Sequence, residues 1–131
     1  MHKENDISGK IIEISIQIHR ELGPGLLEST YERILARELE KAGFRVERQV
    51  PIDIVYAGDR ITEAYRADMI VEGLVVVEFK SVDRLADIHR KQAYTYVKLS
   101  GLRLGLLINF GGILLKDGIV RIVNRLLDEE I

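Results

Sequence analysis

Three carboxylates and one lysine are the residues whose types and spacing could carry chemistry: Glu28, Asp68, Glu78 and Lys80. Glu78 and Lys80 are two positions apart in a predicted strand, so their side chains face the same side of it. Asp68 lies on the other arm of the same predicted hairpin. Charged groups beside a Val-Val-Val strand are costly unless they are paired or bound, so these residues need a partner.

The side-chain alternation of this hairpin predicts one apolar face and one mixed face. The apolar face holds Met69, Val71, Val75, Val77 and Phe79. The mixed face holds Asp68, Ile70, Val76, Glu78 and Lys80, with its charges at the end far from the turn.

The length of the hairpin loop decides whether the two acids meet. A two-residue turn at 72–73 pairs Asp68 with Val77 and puts Asp68 and Glu78 on opposite faces. A three-residue loop at 72–74 pairs Asp68 directly with Glu78. Both registers are open at this point.

Directly opposed acids favour a bound cation. Two like charges facing each other are destabilising without a cation between them, and carboxylate oxygens suit Mg²⁺ or Mn²⁺. The alternative is an ordinary salt bridge, in which Asp68 or Glu78 pairs with Lys80 or Arg66. The spacing alone does not choose between them.

The first half of the chain must supply the helices. Residues 7–22 fit both a strand-like alternation and a helical stripe, and the stripe runs longer. A Gly-Pro-Gly break at 23–25 precedes a second helix, which ends at Gly43.

The remaining segments predict an α/β fold with a mixed sheet. Strands are predicted over 44–56, 61–71, 74–82 and 102–110, with a helix over 87–99. Pro51 makes the first strand an edge strand or a bulged one. The strand–helix–strand crossover predicts that the third and fourth strands are parallel. A turn at 116–118 predicts a small hairpin between 113–115 and 119–123.

Composition excludes several classes of protein. The 131 residues fit one domain, expected to span 1–131, and 47% of them are hydrophobic, which argues against disorder. With no cysteine and three histidines, a disulfide scaffold, a thiolate zinc site and a histidine metal site are not expected. No apolar run reaches the ~18 residues of a membrane span, and no signal peptide is seen, so a cytoplasmic location without membrane contact is expected.

The net charge of −2 argues against coating nucleic acid by bulk charge. Residues 80–103 nevertheless carry six basic and two acidic side chains. This stretch could steer a phosphate toward a site, or it could be a solvated helix face.

Several motifs in a fixed order resemble the GxxExxY family, a group within the PD-(D/E)XK nuclease-like superfamily. Residues 25–31 read G-x-x-E-x-x-Y, 65–68 read Y-R-A-D, and 77–82 read V-E-F-K-S-V. H-R-K-Q at 89–92, L-L-I-N-F at 106–110 and L-K-D-G-I at 115–119 follow. The resemblance covers residues 11–125. It implies a restriction-endonuclease-like core and a helix for the first segment.

The resemblance also implies roles for the site residues. Glu28 matches the acid of the first motif, Asp68 the acid of the second, and Glu78-x-Lys80 the third. These three acids and the Phe79 carbonyl would hold one or two Mg²⁺ or Mn²⁺ ions. Lys80 would orient a water or stabilise developing charge, and the catalytic set is completed by Gln92, which would bond the substrate or the water.

Four further residues have accessory roles with structural alternatives: Tyr31, Arg66, His89 and Tyr96. Tyr31 could bond into the site or be a core tyrosine, and Arg66 could contact phosphate or pair with Glu78. His89 and Tyr96 share a helix face with Gln92, and His89 could donate to a phosphate or be structural.

The expected function is metal-dependent hydrolysis of phosphodiester bonds in DNA or RNA. The alternative is a non-catalytic nucleic-acid-binding or protein-interaction module on the same fold, working with an unidentified protein partner. A small-molecule phosphatase is a third hypothesis. A homodimer is expected, with the tail after Gly111 contributing; the alternative is a monomer whose tail covers its own sheet edge.

Overall fold

The structure is a computed structural model that describes residues 3–124. Its helices are α1 (Lys3–Leu22), α2 (Glu28–Lys41) and α3 (Asp87–Ser100). Its strands are β1 (Val46–Tyr56), β2 (Asp59–Val71), β3 (Val75–Lys80), β4 (Leu104–Asn109) and β5 (Ile119–Val123), with a 3-10 turn at Leu115–Gly118. In this part of the chain, no helix has both the length and the apolar character needed to cross a membrane.

The strands form one mixed sheet in the order β1-β2-β3-β4-β5. β3 and β4 are parallel and joined through α3, while the other neighbours are antiparallel. The predicted α/β class, the crossover and the parallel pair are therefore confirmed. β1 lies at an edge of the sheet, as Pro51 predicted, and its register with β2 shifts between Ile52 and Ile54.

The first segment is a helix, and three residues of its helical stripe, Ile7, Ile11 and Ile18, are buried on one side of α1. Ile14, which belongs to both the stripe and the strand-like alternation, is only partly buried, and Leu22 at the end of the stripe is exposed. Ile12 and Ile16, which belong to the alternation alone, are also only partly buried.

The sheet separates two apolar clusters, and the hairpin faces agree with prediction. Met69, Val71, Val75, Val77 and Phe79 pack with α1 and α2. Ile70 and Val76 pack on the opposite face with Ala93 and Val97 of α3. Each of these apolar hairpin residues thus contacts the cluster that its place in the alternation assigns to it.

The predicted tail hairpin is wrong. Residues 115–118 form the 3-10 turn, and β5 pairs with β4 rather than with 113–115. Pairing with β5 satisfies the backbone groups along the edge of β4. It also buries Ile122 beneath α3, whereas Ile113 is 88% exposed. The last part of the tail predicted to form a dimer, beyond Asn124, lies outside the described residues.

The loops that follow β3 and β4 are locked together at the carboxyl ends of these parallel strands. The side chain of Asn109 accepts from Val82 N (2.9 Å) and Gly111 N (3.1 Å) and donates to Val82 O (2.9 Å). Gly111 lies so close that an added Cβ would be 2.3 Å from Val82 O. Phe110 N donates to Lys80 O at 2.8 Å, so the end of β3 is fixed as well.

Candidate active site

The acids Asp68 and Glu78 meet where β2 and β3 part. β2 pairs with β3 only from Met69 to Val71, in the register set by a three-residue loop. One step further along that register, Asp68 lies opposite Glu78. Here side chains replace the backbone ladder: Asp68 N donates to Glu78 Oε2 (3.3 Å) and Phe79 N donates to Asp68 Oδ2 (2.8 Å). Of the two open registers, the structure adopts the one that brings the acids together.

Among the residues that the structure describes, neither acid is neutralised by a direct ion pair. Within the described chain, the ion pairs involve other groups, and Arg66 pairs with Glu63 instead of Glu78. Arg66 also donates to Gln49 O, at 3.4 Å. The salt-bridge alternative for the two acids therefore finds no support in the geometry.

Burial makes both acids hard to ionise. Glu78 is 8% exposed, and its desolvation, followed by the charge of Asp68, raises its pKa from 4.5 to about 8. Desolvation also raises the pKa of Asp68, opposed by the hydrogen bond from Phe79 N and reinforced by the charges of Glu32 and Glu28. Lys80 favours the charged form of Glu78, because its charge lowers that pKa, though less than burial raises it.

The other predicted site residues surround this pair at different depths. Glu28 is exposed at the first residue of α2, and its charge reaches Asp68. Lys80 is half-buried at the end of β3, and Gln92 is exposed on α3. Among residues 3–124, no three acidic or histidine side chains are grouped closely enough to hold a metal ion.

The donors at the fork nevertheless have the chemistry that a hard divalent cation requires. Two carboxylates, buried Glu78 and partly buried Asp68, lie together with no direct cationic partner within the described residues. The N–H and C=O of one strand residue point to the same side, so the Phe79 carbonyl faces the same gap as its N–H. These oxygens fit Mg²⁺ or Mn²⁺, and Glu28 is the nearby acid that could complete the set.

Of the two alternatives for Tyr31, the geometry supports the core tyrosine. Its ring is fully buried and stacks on Phe110, with the centroids 4.4 Å apart. Its hydroxyl donates to Gly23 O and accepts from Leu26 N at 3.2 Å. Tyr31 therefore anchors the loop that leads into Glu28 rather than bonding into the fork.

His89 and Tyr96 also have structural partners. His89 Nδ1 accepts from Ala86 N at 2.9 Å, which caps the start of α3 and places the proton of a neutral ring on Nε2. Tyr96 stacks on Tyr65, with the centroids 4.3 Å apart, and its carbonyl accepts from the Tyr65 hydroxyl at 2.6 Å. Burial, followed by the charge of Glu78, raises the pKa of Tyr65, so this stacked pair borders the acids.

Sequence reasoning missed Glu32, which lies among these residues. It is 4% exposed on α2, one turn after Glu28, and its charge acts on both Asp68 and Glu78. Arg48 Nε donates to Glu32 Oε2 (2.8 Å) and Gln49 Nε2 donates to Oε1 (3.0 Å). The available signal was the spacing of Glu28 and Glu32, four residues apart on one helix face.

The parallel β3–β4 pair, the helices on both faces of the sheet and the E-x-K strand define a restriction-endonuclease-like α/β domain. A family model described as the PD-(D/E)XK nuclease superfamily matches residues 5–122, so the chain belongs to that superfamily. Searches of curated proteins and of solved structures each found no match to this chain. Nucleases of this superfamily generally depend on divalent metal ions.

Proposed function

We propose that this protein is a nuclease that hydrolyses phosphodiester bonds of DNA or RNA and depends on Mg²⁺ or Mn²⁺. The observation that carries the proposal is the pair of acids at the fork of β2 and β3, buried Glu78 and partly buried Asp68, which meet without a direct cationic partner among the described residues. The E-x-K spacing, which puts Lys80 on the same side of β3 as Glu78, supports it. The G-x-x-E-x-x-Y segment supports placing the chain in the GxxExxY group.

Asp68, Glu78 and the Phe79 carbonyl would hold the cation, with Glu28 completing the set. A bound divalent cation supplies polarisation of the phosphate and a more acidic water. Lys80, half-buried beside Glu78, stabilises negative charge that develops on the phosphate. Gln92, exposed on α3, hydrogen-bonds the substrate or the attacking water.

Cleavage of labelled substrates tests this proposal. Single-stranded and duplex DNA and RNA are incubated with Mg²⁺ or Mn²⁺, using the wild type, Lys80→Ala and the control Lys41→Ala, which changes an exposed lysine of α2. We expect metal-dependent cleavage by the wild type and the control, and its loss in Lys80→Ala. Binding without cleavage by the wild type would instead support the non-catalytic module.

Metal binding is measured separately by calorimetry. Asp68→Asn keeps the shape of the side chain and removes its charge, so we expect much weaker Mn²⁺ binding than in the wild type. Equal affinities would reject the proposed ligand set, whatever the cleavage assay gives.

We also propose a homodimer, to which the tail after Gly111 contributes, because two-strand cleavage needs two sites side by side. The pairing of β5 with β4 is the arrangement expected of the monomer alternative. Light scattering at micromolar concentration decides between them: a mass near 15 kDa, that of one 14.9 kDa chain, would reject the dimer.

A further inference from the structure

Gln49 has a backbone conformation that is unusual for a strand residue. Its φ is +52°, in the left-handed region that is strained for a non-glycine residue. The pairs Arg48↔Met69 and Val50↔Ala67 put Gln49 directly opposite Asp68. Strain of this kind persists only where the surrounding structure holds it, and it clusters at functional sites.

The same row of residues crosses three strands. Gln49 on β1 lies opposite Asp68 on β2, which in turn lies opposite Glu78 on β3. The strained residue is therefore next to the acid pair, on the side away from Glu78. Alternation along β2 also breaks here, because Ala67 and Ile70 contact the α3 cluster while Met69 contacts the other one.

The side chain of Gln49 is held by a buried carboxylate. Gln49 Nε2 donates to Glu32 Oε1 at 3.0 Å, and the other oxygen of Glu32 is occupied by Arg48 Nε at 2.8 Å. Glu32 is 4% exposed, so this is a fixed anchor. Residues directly opposite each other on antiparallel strands are immediate neighbours, so Gln49, held by Glu32, adjoins Asp68.

We propose that Gln49, anchored by Glu32 across from Asp68, is a positioning residue that fixes the Asp68 carboxylate toward β3. The inference deepens the proposed function, since an oriented Asp68 is what a cation at the fork needs. Partners that orient metal ligands typically cost 10–100-fold in metal affinity when they are removed. The strain at Gln49 is then retained because it keeps this residue anchored to Glu32 while it lies opposite Asp68.

Two substitutions separate positioning from folding. Gln49→Gly removes the amide and relaxes the left-handed backbone, so the relief of strain offsets the loss of the donor to Glu32 and the metal-free protein should still fold. Gln49→Met keeps the length of the side chain without its donors. We expect both variants to bind Mn²⁺, used alone in calorimetry, about 10–100-fold more weakly than the wild type. The control Gln17→Met, at an exposed position of α1, should bind as the wild type does. Wild-type affinity in the Gln49 variants would overturn the positioning role and leave the proposed function intact.

A metal-free measurement decides the inference even if the wild type binds no Mn²⁺. Urea midpoints are compared for the wild type, Gln49→Gly, Asp68→Asn and the double variant in EDTA. If Gln49 acts on Asp68, its substitution should shift the midpoint differently once Asp68 is changed. Additive shifts would overturn the inference. Absence of Mn²⁺ binding by the wild type, in contrast, would count against the proposed metal site.

Discussion

Replacing Glu78 by glutamine should change how the stability of the metal-free protein depends on pH. Burial, and then the charge of Asp68, raises the pKa of Glu78 from 4.5 to about 8 in the folded protein. A folded-state pKa above the unfolded value means that the folded protein favours the protonated acid. The stability this contributes is fully present below pH 4.5 and is lost as the pH rises through 8.

The size of the effect follows from the shift. Each pKa unit corresponds to about 1.4 kcal/mol, so a rise from 4.5 to about 8 is worth about 5 kcal/mol. Glutamine has nearly the same shape and does not titrate. The free energy of unfolding of Glu78→Gln relative to the wild type should therefore increase by about 4–5 kcal/mol between pH 4.5 and pH 9.

Urea unfolding followed by circular dichroism, with EDTA present, measures this difference. Glu40→Gln is the matched control because Glu40 is an exposed acid of α2, so its curve should run parallel to that of the wild type. In separate samples without EDTA, Mn²⁺ at 100 times its Kd should stabilise the wild type by about 2.7 kcal/mol and leave Glu78→Gln almost unchanged. A pH-independent difference would refute the reasoning. So would a wild type that gains on the variant as the pH rises, since that is the behaviour of a salt-bridged acid with a lowered pKa.

The other stability predictions concern the loops around the site. Gly111→Ala should cost about 3 kcal/mol in a thermal or urea melt, because its Cβ would lie 2.3 Å from a backbone oxygen of the loop after β3. Gly112→Ala, whose nearest neighbour would be 3.6 Å away, should change stability by less than about 1 kcal/mol; equal losses would mean that the two loops are not packed as described. Tyr31→Phe should cost about 1–3 kcal/mol by unpairing the loop before α2, whereas the exposed Tyr94→Phe should cost nothing measurable. A Tyr31→Phe protein as stable as the wild type would remove the anchoring role of that hydroxyl.

The regular parts of the fold were predictable because local pattern and final burial agree in them. The alternation in the β2–β3 hairpin assigned Met69 and Ile70 to opposite faces, and each contacts the expected cluster. The α1 stripe runs longer than the competing alternation, and three of its isoleucines, Ile7, Ile11 and Ile18, pack into the core. In both places a single period fixes the face that each side chain takes.

The tail was mispredicted because its partner is distant in sequence. A Lys-Asp-Gly turn with apolar flanks favours a local hairpin, yet β5 gains a full strand partner in β4. Pairing energy from the sheet edge outweighs a short hairpin, which is marginal by itself. A local sequence pattern cannot show that pairing with β4 is more stable than the local hairpin.

The acids of the candidate site were predictable from the sequence, but the residues that surround them were not. The spacing of Asp68 and Glu78 left two registers, and only the three-residue loop brings the acids together. Glu32, Gln49 and Tyr65 approach the acids from α2, β1 and the far part of β2. Their proximity depends on how helices and strands pack, which spacing along the chain does not record.

The number of residues in the loop at 72–74 sets the register between β2 and β3. Removing or adding one residue would shift the register by one, turning Met69 away from its cluster and Asp68 away from Glu78 in the same step. The packing of the core and the meeting of the two acids thus both depend on the number of residues in this loop. A surface turn of this kind would ordinarily tolerate insertions, but here its length is constrained both by the packing of the core and by the meeting of the two acids.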